Sequence, residues 1–168
     1  MSALATPSAA AASTIMVRPL TPSDRAALAF ALRHLGERSR YQRYLASGID
    51  IERRELGRLL TVDHWHHEVL IACHVAPRIP VGVAEYVRGT TFDTAELAVS
   101  IADDWQRRGI GTQLVDDLRE RALAAGIRSF TASALRENRG ARTLLGGLGP
   151  VELLGADGPV ASWAVSLA

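Results

Sequence analysis

Gln106-Arg107-Arg108-Gly109-Ile110-Gly111-Thr112 separates a strand-like run, Thr94 to Ala102, from an amphipathic stretch, Ile110 to Ala125. Two glycines one residue apart let backbone N–H groups approach an anion without a Cβ in the way. The helix that starts there adds N–H donors without intrahelical partners and the positive end of its dipole. Together these features predict a diphosphate cradle. Arg107 and Arg108 can add charge-assisted contacts to phosphate oxygens. A dinucleotide fingerprint would need a third glycine at Leu114, and a nucleotide phosphate loop would need a lysine. Neither is present.

Upstream of the cradle, Ile15 to Arg18 reads as a short strand, and Thr21-Pro22 as the start of a helix running to Leu35. Glu37 to Leu60 reads as helical but broken at Gly48 and Gly57, with an arginine-rich solvated face. Glu68 to Val75 and Val81 to Val87 read as strands around a Pro77–Pro80 turn, and Thr94 to Ala102 follows as a third. Downstream, Ile110, Leu114, Leu118 and Ala122 recur at helical spacing, with Gly126 as the stop. Ile127 to Leu135 is then a strand, Asn138 to Leu145 a helix, and Pro150 to Leu154 with Pro159 to Val165 a final pair around Asp157-Gly158. The order predicts an α/β (α+β) domain, a mixed sheet with helices on its faces.

The 168 residues have the size of one domain, 15–168, after a tail (1–14) of Ala, Ser, Thr and Pro that reads as disordered. All nineteen basic residues are arginine, which excludes Schiff-base lysine chemistry. A net charge of +1 gives no bulk attraction to nucleic acid or to an anionic membrane. The single cysteine, Cys73, excludes an internal disulfide, and no apolar run approaches the ~20 residues of a membrane span. A cytoplasmic protein is the expectation.

Beyond these readings, the run from Ala95 to Gly111 resembles the acyl-CoA-binding core of the GCN5-related N-acetyltransferase (GNAT) superfamily. Gln106, Gly109 and Gly111 match its signature of Gln or Arg, two residues, Gly, one residue, Gly or Ala. Asn138, Ala141, Leu144 and the Gly147/Gly149 region resemble a second CoA-contacting motif. Within the superfamily, Ser39 to Tyr44, Val62 to Ala72 and Glu96 look most like the acetyltransferase domain of bacterial protein lysine acetyltransferases. The resemblance implies a twisted, mostly antiparallel sheet of about seven strands, with helices on both faces and splayed central strands. It implies acetyl transfer from acetyl-CoA to a primary amine in a ternary complex, without a metal. A protein lysine or N-terminus is favoured over a small molecule, and a non-catalytic acyl-CoA-binding module is the rival of another class. Dimerisation is left open.

In that frame Ser100, Ile101 and Asp103 are expected to offer backbone contacts to the coenzyme, at a strand kinked by a bulge. Gln106, Arg107, Arg108, Gly109, Ile110, Gly111 and Thr112 form the cradle, and Asn138 and Ala141 contact CoA. Glu96 is the candidate base, acting through water because it lies about 16 Å along a straight strand from Ile101. Glu85 is the second candidate. The family's usual acidic tyrosine falls at Leu145; a dedicated acid is not compulsory, and Tyr86, Tyr41 or water could substitute. His64, His66 and His67 are read as ordinary surface residues, and Trp105 as a packing residue.

Overall fold

The apolar alternations pair into one sheet, seen in a computed structural model that describes residues 15–45, 50–75 and 78–167. Its strands are β1 (Ile15–Pro19), β2 (His67–His74), β3 (Ile79–Arg88), β4 (Thr94–Ile101), β5 (Ser129–Leu135), β6 (Val151–Asp157) and β7 (Val160–Ser166). The helices are α1 (Arg25–Arg33), α2 (Glu37–Tyr44), α3 (Ile51–Leu60), α4 (Ile110–Ala124) and α5 (Arg139–Leu148). Spatial order is β1-β2-β3-β4-β5-β7-β6. Every neighbouring pair is antiparallel except β4 with β5.

Two cores follow from the pleat. One face packs Leu70, Ala84, Tyr86, Leu97 and Phe130 against Ile110, Leu114 and Leu118 of α4 and Leu145 and Leu148 of α5. The other packs Val69, Ile71 and Cys73 against Leu28 and Leu32 of α1 and Leu56 and Leu59 of α3. Covered on both sides, β2 is buried from Glu68 to Cys73, which explains why its sequence reads as a continuous apolar run.

Several sequence expectations change here. Gly57 lies inside α3 instead of ending it, while Gly48, Pro77 and the 1–14 tail fall outside the described residues. Ile79 and Pro80 belong to β3. β5 begins only at Ser129, and α5 runs on to Leu148 with Asn138 as its cap. The expected bulge in β4 is not found, because its register with β3 runs unbroken from Ala95–Arg88 to Ile101–Gly82.

The splay has a different origin. β4 and β5 pair over only three residues, Thr94–Ser129, Ala95–Phe130 and Glu96–Thr131. Past Glu96, β4 keeps its pairing with β3 and β5 keeps its pairing with β7, so the two parallel strands diverge. The sheet therefore carries a wedge whose apex is Glu96. Its far end is closed by the turn that leads into α4.

Candidate active site

The wedge opens into a cavity of about 790 Å³, which takes in both sides of the β4–β5 gap. Ladder parity decides what β4 offers to it. The N–H of Ala102 donates to Val81 of β3 at 2.8 Å. Alternation then commits Ser100 and Ala98 to β3, and turns the N–H groups of Val99 and Ile101 into the wedge. Consistent with this, the Ile101 carbonyl accepts from the Gln106 side-chain amide at 3.1 Å. The Ser100 N–H is thus turned to β3, and the Val99 N–H, which the sequence reading did not single out, joins Ile101 in facing the wedge. Strand parity could have found it once one ladder bond was known.

At the wedge's far end, Gly109 (φ 80°) and Arg107 (φ 60°) both adopt left-handed conformations, and α4 starts at Ile110. No side chain caps α4, and the first helical bond runs from Gln113 N–H to Gly109 O at 3.0 Å. That leaves the N–H groups of Ile110, Gly111 and Thr112 without intrahelical partners. Gly109, Gly111 and Thr112 line the cavity; the Ile110 side chain is buried in the core, so only its backbone can serve. A Cβ at Gly111 would lie 3.3 Å from Leu144 Cδ1, so the cradle floor has little room for a side chain.

The two arginines part company. Arg107 lines the cavity, whereas Arg108 stacks on the Trp105 ring, 5.0 Å from its centroid. Trp105 is also tilted against His74 and packs, as expected. Asp103 turns its carboxylate to the Ser39 hydroxyl, and Gln106 bridges Ser39 Oγ at 3.0 Å. These two side chains tie the start of α2 to the end of β4 without involving the Asp103 backbone. Asn138 caps α5 by accepting from Ala141 N–H at 3.1 Å, and both residues line the cavity.

On the α1–α3 face of the sheet, alternate residues Glu96, Ala98 and Ser100 stand beside Val87, Glu85 and Val83. The Glu96 side chain is exposed, lines the cavity and has no hydrogen-bond or ion-pair partner among the described residues. Glu85 is the opposite case. Its buried carboxylate receives Arg58 through two bonds (2.6 and 2.7 Å), His67 Nε2 at 2.8 Å and Arg43. Burial alone pushes its pKa up, but the His67 and Arg58 hydrogen bonds and the Arg43 and Arg58 charges win and hold it at about 2. A carboxylate so committed is a poor proton acceptor, which removes Glu85 as a base. Glu55, also buried, shares Arg58.

The tyrosine question resolves by position. Tyr86 is buried on the opposite face beside Phe130, and Tyr41 is exposed and does not line the cavity. Tyr44 does line it, with its pKa pushed up to about 12 chiefly by burial. Leu145 is buried in the core at the cavity wall. The three histidines diverge, His64 to Glu68 (2.9 Å), His66 to Asp63 (2.9 Å) and His67 to Glu85. Among the described residues no group of three or more His, Cys, Asp or Glu could hold a metal ion.

A profile of the acetyltransferase (GNAT) family matches residues 41–149, which hold both the wedge and the cradle. The chain belongs to the GNAT family. It is therefore an acyltransferase by family. It is 34% identical over 97 residues to acetyltransferase Pat of Mycolicibacterium smegmatis; the match covers 57% of this chain and 29% of that protein. The chain thus spans under a third of that relative. Its fold is similar to the GNAT domain of S. lividans PAT (TM-score 0.79, 22% identity, covering 90% of this chain and 89% of that one). It also resembles a Vibrio cholerae spermidine N-acetyltransferase solved with CoA and spermine (TM-score 0.70, 14% identity, covering 92% and 96%). No described helix is long and apolar enough to cross a membrane.

Proposed function

We propose that this GNAT protein transfers the acetyl group of acetyl-CoA to a lysine or N-terminal amine of a protein, in the cytoplasm. The observation that carries the reading is a wedge with main-chain donors along one arm and one unpaired carboxylate, Glu96, at its apex. In this account the coenzyme diphosphate sits on the N–H groups of Ile110, Gly111 and Thr112, assisted by Arg107. The N–H groups of Val99 and Ile101 face the thioester carbonyl and stabilise the oxyanion that forms as the amine attacks. A C–N bond forms, the C–S bond breaks, and the coenzyme leaves as a thiolate. With a thiol pKa near ~8.5, that thiolate is a tolerable leaving group.

An amine of pKa near ~10.4 is neutral in only about one molecule in 10³ to 10⁴ at neutral pH, a deficit of roughly 4–5 kcal/mol. Glu96, in contact with solvent, takes the amine proton directly or through a water. Tyr44, held as the phenol by its burial, is the hydroxyl donor that stands in for the tyrosine absent at Leu145.

The acceptor wall supports one amine more than a polyamine. Its carboxylates Glu55 and Glu85 are neutralised by Arg43 and Arg58, so only Glu96 is open to a cation. A polyamine would bring several ammonium groups to a wall with one free carboxylate. The test is thiol release from acetyl-CoA against a panel of lysine peptides, polyamines and aminoglycosides. The expected result is turnover with peptides; activity confined to soluble amines would overturn the choice of acceptor. Silence across the panel despite tight CoA binding would favour the non-catalytic module.

A further inference from the structure

A second cavity, of about 360 Å³, lies on the α1–α3 face beneath the α1–α2 connection. It is not separate from the wedge, because Arg43, Tyr44, Glu85, Ala98, Ser100 and Trp105 line both. The floor at the junction is Ala98 and Ser100, two small side chains on the face of β4 that also carries Glu96. Beyond that floor Leu28, Leu32, Leu59 and Val83 supply a hydrocarbon wall, while His34, Asp103 and Asp104 also border the cavity. In the reading proposed above, an acyl group whose carbonyl faces Val99 and Ile101 would emerge beside these small residues.

From this continuity we propose that the protein accepts unbranched aliphatic acyl-CoA donors longer than acetyl, their chains running past Ala98 and Ser100 into the second cavity. The inference rests on the acyl-transfer reading and adds the class of donor. The chemistry of the walls selects among acyl groups. The charged side chains at the junction are committed to one another, Arg43 to Glu85, and Asp103 is bonded to Ser39. Among the described residues, Arg43 at the junction is paired with Glu85, and His34 on the second cavity is engaged at Nδ1 by the Phe30 carbonyl (2.8 Å), so the terminal carboxylate of a dicarboxylic chain such as succinyl would be desolvated without a cationic partner. A hydrocarbon chain meets no such penalty and gains from burial, about fourfold in affinity per buried methylene (~0.8 kcal/mol).

Calorimetry of acetyl-, butyryl- and succinyl-CoA without acceptor tests the pocket, and thiol release with a lysine peptide tests the reaction. The expected order of affinity is butyryl over acetyl over succinyl, with butyryl several-fold tighter than acetyl. Val83→Phe and, independently, Ala31→Phe fill the second cavity from β3 and from α1; neither residue lines the wedge. Each is expected to erase the butyryl advantage while acetyl-CoA affinity and acetyl transfer remain. The use of two positions guards against one variant failing to fold, which its thermal melt would reveal. Equal or weaker binding of butyryl-CoA by the native chain, or an advantage that survives both variants, overturns the inference. Loss of acetyl transfer in the native protein, with the butyryl advantage intact, would instead overturn the catalytic reading and leave the pocket standing.

Discussion

The cradle and the acceptor wall face the same cavity but are built in opposite ways. The cradle is local: seven consecutive residues, Gln106 to Thr112, make the turn, the free N–H groups and one cationic side chain. The wall is assembled from three separate segments, with Arg43 on α2, Glu55 and Arg58 on α3 and Glu85 on β3, and His67 at the start of β2 braces Glu85 from outside the lining. In the proposed reading, donor binding depends on backbone that survives most side-chain changes, whereas the acceptor side depends on charges that stabilise one another. If this contrast holds, damage to the cradle should abolish coenzyme binding and spare folding. Damage to the wall's charges should cost stability first.

The largest effect is expected at the apex between them. Glu96→Gln should lower kcat by about 10²- to 10⁴-fold with acetyl-CoA affinity unchanged, as read by thiol release and calorimetry. A parallel loss of coenzyme affinity would place Glu96 in the cradle instead. Gly111→Trp should weaken acetyl-CoA by ~100-fold or more, because the new side chain must occupy the space between the α4 N-terminus and Leu144. Its thermal midpoint should stay near the native value.

Glu85→Gln sharpens the other half of the comparison. It leaves Arg43 and Arg58 without their shared counter-charge, and a loss of about 2–3 kcal/mol in denaturant unfolding is expected, since both guanidinium groups keep some solvent contact. The same network sets a pH signature. The Glu85 pKa falls from its usual 4.5 to about 2 on folding, so the unfolded chain binds more protons between those values. Stability from this group is thus complete above pH ~5 and is lost as pH falls toward 2. Unfolding free energies of the native chain minus those of Glu85→Gln should decline across that window; a flat difference would contradict the assignment. The smallest effect is expected for Tyr44→Phe, a fall in kcat of about tenfold or less with binding intact.

The contrast also marks what could be read from the chain. Strand alternation and the Ile110, Leu114, Leu118, Ala122 spacing carried the layers, because those patterns are local and the cores enforce them. Gln106, Gly109 and Gly111 carried the cradle for the same reason. The missed features are long-range. Val99, not Ser100, offers its N–H to the wedge, a fact set by register against β3, which no spacing in β4 alone reveals. Glu85 read as a free carboxylate because its partners lie 42, 27 and 18 residues away. The tie from Asp103 and Gln106 to Ser39 was not legible either, because their side chains reach a residue more than sixty positions upstream. Tyr44 was passed over for Tyr41 and Tyr86, a choice that depends on which turn of α2 looks into the cavity.

The central claim concerns the wedge itself, and a crystal structure with acetyl-CoA tests it most directly. The diphosphate is predicted within hydrogen-bond distance of the Ile110, Gly111 and Thr112 amides, and the thioester oxygen at Val99 or Ile101. A coenzyme seated outside the β4–β5 gap, with those amides untouched, would contradict the account.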